Sequence, residues 1–197
     1  AQAAAAPRQE MIELPDGRKL AMLVAGPKNA NPTLVFLHGL GGSLSSWTNV
    51  MPAFADRYRV AAIDLPGHGG SDKPDPGTTD YSLAGLASAV GEAIAAANLV
   101  PAVIVGHSLG GAVALQVALD RPKLVRGLVL IDSAGIGPEI NPELLDRVEA
   151  EPSRDEVRRL LELFFEDKKL VLDRGIDEMY RGQTSPGADA ALKAVAA

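Results

Sequence analysis

Apolar positions along the chain follow two periods. Compact apolar runs occur at 33–37 (TLVFL), 59–64 (RVAAID), from 102 (AVIVGHS) and at 127–132 (GLVLID), with too few polar interruptions for a half-exposed strand. Runs of that length and type predict strands buried on both faces. Helical spacing fills the gaps between them. SSWTNVMPAFADRY predicts a short helix, SLAGLASAVGEAIAAANL (82–99) a long one, and SLGGAVALQVALDRP another, with Leu109, Ala112, Val113 and Leu119 on one side and Pro122 ending it. Upstream, extended runs at 11–14 and 18–25 flank the turn signal Pro15-Asp16-Gly17 and predict an antiparallel hairpin. Strands alternating with helices imply crossover connections and a mostly parallel sheet with helices on both faces. The expected class is α/β.

Past residue 137 the strand signals stop and charge density rises. Asn141 ahead of Pro142 is a cap followed by a first-turn proline, and Ser153 with Glu156 forms a capping box. The helix behind that box places Val157, Leu160, Leu161, Phe164 and Phe165 on one apolar stripe. Three segments follow from the pattern: an Ala/Pro-rich linker at 1–10, an α/β core at 11–137 and an incomplete helical cap at 138–197. The chain is expected to stop within that cap, because DAALKAVAA runs to Ala197 in helical pattern with no Gly or Asn to end it.

Composition narrows the partners. With 197 residues and 47% hydrophobic content the chain can bury a core of its own. A net charge of −6 without clustered Lys or Arg argues against a nucleic-acid partner. No apolar stretch approaches the roughly 20 residues a bilayer crossing needs, so no membrane partner is expected. Cysteine is absent, which excludes disulfides, a thiol nucleophile and cysteine-held zinc, and the three histidines lack the spacing of a helical metal site. Neither a metal nor another cofactor is expected. A cytoplasmic location is expected, and a processed secreted form stays open.

The candidate chemistry lies in IVGHSLGG, residues 104–111. Gly106-His107-Ser108-Leu109-Gly110 follows a predicted buried strand and opens a predicted helix, the setting in which a G-x-S-x-G motif exposes its serine at a sharp turn. Ser108 is the candidate nucleophile. The glycines leave room for the crossing chains, and the helix N-terminus beside the serine favours developing negative charge. HGLGG, residues 38–42, follows another buried strand, so the backbone N–H of Leu40 joins that of Leu109 as a candidate oxyanion hole. His38 and Gly39 are expected to shape that loop, with His38 bonded inside it. Asp64 and His68, in DLPGHGGSDKP, are expected to build a second loop.

HGLGG, DLPGHGGSDKP and GHSLGGAVAL, in this order and spacing, resemble the α/β-hydrolase fold superfamily from about Met11 to Ile136. IDSAGIGPEI followed by a charged helical segment, behind an Ala/Pro stretch, resembles more narrowly the hydrolase-like domain of acetoin dehydrogenase acyltransferase components. The resemblance implies Ser108 as nucleophile, Leu40 and Leu109 as oxyanion donors, and an acid and a histidine later in the chain. Neither has a counterpart before Ala197, and the last strands of the fold are absent with them. Asp132, at the end of GLVLID, is the one alternative acid. The implied activity is attack on a small carbonyl substrate (ester, thioester or C–C bond), with the fragment itself inactive. Alternatives are an acyltransferase or accessory domain of an acetoin or 2-oxo acid dehydrogenase complex, with a lipoyl domain upstream, and a non-catalytic binder. The small-molecule acyl or ester substrate is expected to lie under the cap against Trp47 and Ile136, beside Leu40 and Leu109.

Overall fold

The computed structural model describes residues 7–137 and 141–197. Six strands form one sheet: β1 (Arg8–Glu13), β2 (Lys19–Ala25), β3 (Thr33–Leu37), β4 (Arg59–Ile63), β5 (Ala102–His107) and β6 (Val125–Ile131), in the order β1-β2-β4-β3-β5-β6. β1 pairs antiparallel with β2 and β2 antiparallel with β4, while β4, β3, β5 and β6 run parallel. The mostly parallel α/β sheet expected from the apolar runs is present.

Both faces of the central strands are covered, which is why their runs show no polar alternation. Val35, Leu37, Ala61, Ile63 and Ile104 face one layer, formed by α2 (Leu83–Ala96) and α3 (Leu109–Asp120). Phe36, Val60 and Ala62, one residue out of phase, face the other. There they meet Trp47, Met51 and Ala55 from the Leu44–Trp47 turn of 3-10 helix and from the short α1 (Pro52–Ala55). At about 25 cal/mol per Å² of apolar surface, this two-sided burial is the main term holding the sheet together. β6 is the exception, an edge whose Val129 and Ile131 stay 46% and 41% exposed.

Past residue 140 the chain is helical: α4 (Pro142–Glu149), α5 (Arg154–Glu162), α6 (Asp173–Gln183) and α7 (Ala188–Ala196). The side chains of Asn141 and Ser153 accept from the Glu143 and Glu156 N–H groups, as the cap signals required. Val157 on α5, Val171 just ahead of α6 and Ile176 on α6 form a small core of their own.

Two expectations shift. β1 begins at Arg8, inside the segment read as linker, because its pairing with β2 runs from Arg8 opposite Val24 to Glu13 opposite Lys19. Backbone pairing recruits these polar residues without any apolar signal. α5 ends at Glu162, so Phe164 and Phe165 lie in the segment after the helix rather than on its stripe. The remainder of the linker reading (1–6) and the junction at 138–140 lie outside the described residues.

Candidate active site

Ser108 sits between β5 and α3 with φ 51° and ψ −118°, a backbone conformation that L residues rarely adopt and that costs on the order of 1–3 kcal/mol. Neighbouring hydrogen bonds hold it there: its N–H donates to the Ile131 carbonyl at 3.0 Å, and its carbonyl accepts from Ala134 at 3.1 Å. Glycines make the turn possible. A Cβ on Gly106 would lie 2.4 Å from the Gly110 carbonyl oxygen, and one on Gly110 would lie 2.4 Å from that of Leu37. The start of α3 therefore packs directly on the ends of β3 and β5. Leu109 opens α3, where helix geometry gives its N–H no carbonyl partner within the helix.

The 38–42 loop lies against this turn. A Cβ on Gly39 would stand 3.2 Å from Ser108 Cβ and 3.0 Å from His107 Nδ1. A turn closed by the Gly42 N–H on the Gly39 carbonyl, at 3.0 Å, carries Leu40 past the serine. His38 fixes the loop from beneath. Fully buried, it accepts the Leu65 N–H at Nε2 (3.0 Å), which leaves Nδ1 to donate to the Gly39 carbonyl (2.8 Å). The two bonds join its ring to the backbone of both loops.

Asp64 ties the second loop to the first. Its two carboxylate oxygens accept the N–H groups of Leu44 (2.6 Å) and Gly70 (2.7 Å). His68 packs on His38 with ring centroids 5.0 Å apart and bonds through Nδ1 to the Pro66 carbonyl at 3.0 Å, leaving Nε2 buried and unpaired among the described residues. Burial is the first cause of every shift here: it lowers His38 to about 4 and His68 to about 3, and it raises Asp64 against its two hydrogen bonds. Both imidazoles are therefore neutral at pH 7 and committed to structure. No histidine is hydrogen-bonded to Ser108 among the described residues.

A cavity of about 580 Å³ opens over Ser108. Gly39, Leu40, His107 and Asp132 line its sheet side, and Leu144, Leu161, Phe164, Phe165 and Met179 line its helical side. Asp132 reaches it from the end of β6 with φ 43°, a second non-glycine residue in the left-handed region. Three residues expected in this pocket do not line it: Leu109, whose side chain packs against the core layer, Trp47 and Ile136. Trp47 is buried on the opposite face of the sheet, its ring centroid 5.1 Å from that of Phe36, because it shares the layer beneath β3 and β4. Ile136 is 68% exposed in the turn after β6 and does not line the cavity. Sequence reasoning missed Leu144 and Met179 as walls. Among the described residues no cluster of three or more His, Asp or Glu is placed to hold a metal, and no helix is long and apolar enough to cross a membrane.

Comparison with known proteins identifies the fold family. Residues 32–173 match the family model described as the alpha/beta hydrolase fold. The dihydrolipoyllysine-residue acetyltransferase component of the acetoin cleaving system of Cupriavidus necator is 37% identical over 163 residues, covering 83% of this chain and 43% of that protein. The 2-hydroxymuconate semialdehyde hydrolase of Pseudomonas sp. strain CF600 is 38% identical over 158 residues, covering 78% of this chain and 55% of that protein. Among solved structures, a meta-cleavage product hydrolase from Pseudomonas fluorescens superposes with a TM-score of 0.82 at 26% identity, over 93% of this chain and 66% of that one. The chain spans about half the length of the curated relatives it matches.

Proposed function

The chain belongs to the α/β-hydrolase fold family, and from that premise we propose that it carries the nucleophile half of a serine hydrolase acting on a small carbonyl substrate. In this reading 11–137 is the catalytic core and the helices from 141 onward are its cap. Ser108 Oγ attacks the carbonyl carbon as a base takes its proton, and the oxyanion rests on the N–H groups of Leu40 and Leu109. The leaving group then departs with that proton, and water or another acceptor takes the acyl group. Each such donor is worth about 3 kcal/mol to the transition state. The observation that carries the reading is the left-handed backbone of Ser108 at a strand-to-helix turn, facing a cavity of about 580 Å³.

The base is the part these residues do not present. His38 and His68 are buried and engaged in the two loops, and His107 precedes the serine on β5. We assign the base to a histidine outside the 197 residues, and predict slow turnover for the chain by itself. A fluorophosphonate probe tests both points. Labelling of Ser108 in the whole protein, lost in Ser108→Ala, is the expected result; an unlabelled Ser108 in the whole protein refutes the assignment.

A second reading rests on the relatives. Two are named as acetyltransferase components of an acetoin cleaving system, and in that setting the acceptor or donor is a dihydrolipoyl thiol on an upstream lipoyl domain. A lipoylated lysine in the whole protein, found by mass spectrometry, favours this reading over a free-standing hydrolase. A cytoplasmic location is part of the proposal, and cell fractionation checks it.

A further inference from the structure

A second cleft adjoins the cavity over Ser108. It encloses about 430 Å³ between the turn at 41–46 and the face of α6, and shares Gly42, Ser46, Leu161 and Met179 with the first. Met179 lies where the two spaces meet, and a Cβ on Gly41 would lie 3.6 Å from its Cε, so its terminal methyl faces the 38–42 loop across the room that a side chain at Gly41 would fill. An unbranched, flexible side chain in that place can yield to a ligand that threads past it.

The two spaces differ in chemistry. Around Ser108 the helical wall is Leu144, Leu161, Phe164, Phe165 and Met179. The second cleft keeps Leu161 and Met179 in its wall and adds the polar residues Ser43, Ser45, Glu178, Arg181 and Ser185, with Ser46 at the edge that both spaces share. Ser43 and Ser45 share one hydroxyl hydrogen bond of 2.6 Å, the Ser45 N–H also donates to Ser43 Oγ, and Ser185 donates to the Gly182 carbonyl at 2.7 Å, so Ser45 and Ser185 keep acceptor capacity for a guest. Glu178 and Arg181, both of them lining this cleft, carry opposite charges less than one turn apart on α6. An ionic guest would be attracted by one and repelled by the other, whereas a neutral hydrogen-bonding group is served by both.

We propose that this cleft is a second binding chamber, which takes the neutral, hydroxyl- or amide-bearing end of a substrate whose apolar acyl part lies against Ser108. The proposal rests on the reading of Ser108 as nucleophile only for the word substrate; the chamber binds amphiphiles whether or not the serine reacts. That separation sets the experiment. The whole protein is titrated with 1-O-hexylglycerol, an ether that cannot be cleaved, with 1-hexanol and with hexanoate, following backbone amide shifts. The glycerol ether is expected to bind about fivefold tighter than hexanol, the worth of one net hydrogen bond, and to shift Gly41, Gly175 and Gly182, which hexanol leaves in place. Arg181→Ala with Ser185→Val is expected to bring the ether to within about twofold of hexanol without changing hexanol itself. Equal affinities in the wild-type chain, or ether-induced shifts confined to the residues around Ser108, overturn the proposal without recourse to any variant. Tighter binding of hexanoate than of the ether overturns the neutral assignment. A failure of labelling sinks the nucleophile, and a failure of this titration sinks the chamber.

Discussion

Acid destabilises this fold through two buried imidazoles. Desolvation first, and then the other charges nearby, hold His38 at about 4 and His68 at about 3 against an ordinary value of 6.5. His38 further disfavours charge on His68 at 5.0 Å, Lys73 acts in the same direction and Asp64 against it, while His107 disfavours charge on His38. As pH falls through 6.5 the unfolded chain takes up two protons that the folded chain refuses until about 4 and 3. The unfolded state therefore binds more protons throughout that window, and stability is complete above pH 6.5 and falls as pH falls. One fully protonated imidazole is worth about 1.4 kcal/mol per pH unit. Allowing for partial protonation of the unfolded chain, the pair costs about 2 kcal/mol between pH 6 and pH 5. Asp64 has the opposite sign: burial raises it, so the folded state holds that proton more tightly and partly offsets the loss at the acid end.

The assay is urea unfolding followed by circular dichroism at fixed pH from 7.5 to 5. With a slope of about 2 kcal/mol per molar urea, the midpoint drops by about 1 M between pH 6 and pH 5. His68→Asn keeps a side chain able to bond the Pro66 carbonyl and removes the titration, so it halves the pH slope whatever it does to the absolute stability. A midpoint that stays level from pH 6.5 to 5, or a full slope in His68→Asn, refutes the reasoning.

Gly110→Ala puts a methyl 2.4 Å from the Leu37 carbonyl oxygen and 2.6 Å from that of His38, neither able to move independently, and costs about 3 kcal/mol in denaturant unfolding. Ser108→Gly releases the left-handed backbone at φ 51° and raises stability by about 1 kcal/mol while abolishing probe labelling; a lower midpoint would contradict the strain. Asp132→Asn keeps a residue type that tolerates φ 43°, and Ser108 labelling in the whole protein stays within about twofold; a loss of tenfold or more would make Asp132 the catalytic acid. Val129→Lys places a charge on the exposed apolar face of the edge strand β6 and lowers concentration-dependent association in light scattering.

Where local pattern and tertiary environment agreed, the chain was readable. TLVFL, RVAAI and AVIVGH are apolar because strands in the middle of a covered sheet have no solvent face, and all three are central. The cap residues Asn141 and Ser153 act within one turn of themselves, so their signal needed no tertiary information. Gly106, Ser108 and Gly110 were readable for the same reason: the strand-to-helix turn is local, and its crowding sets the residue types.

The pocket was not local, and there the reading went astray. Trp47 is close in sequence to Leu40 and is the chain's one tryptophan, yet the parity of β3 decides its side: it packs on Phe36, which points away from the face that Val35 and Leu37 share. One residue of register separates a cavity wall from a core residue. Phe164 and Phe165 continued the helical stripe of Val157, Leu160 and Leu161 on paper, but α5 stops at Glu162 and they enter the pocket from the segment that follows. No periodicity encodes a side chain whose direction is set after its helix has ended. Met179 carries still less signal, since on α6 its neighbours are Glu178 and Tyr180 and nothing nearby in sequence shows that the turn at 38–42 lies beneath it. The catalytic half of such a site is written in motifs because backbone strain restricts which residues fit. Its substrate half is written in packing between distant segments, and becomes legible only when the helices over Ser108 are in place.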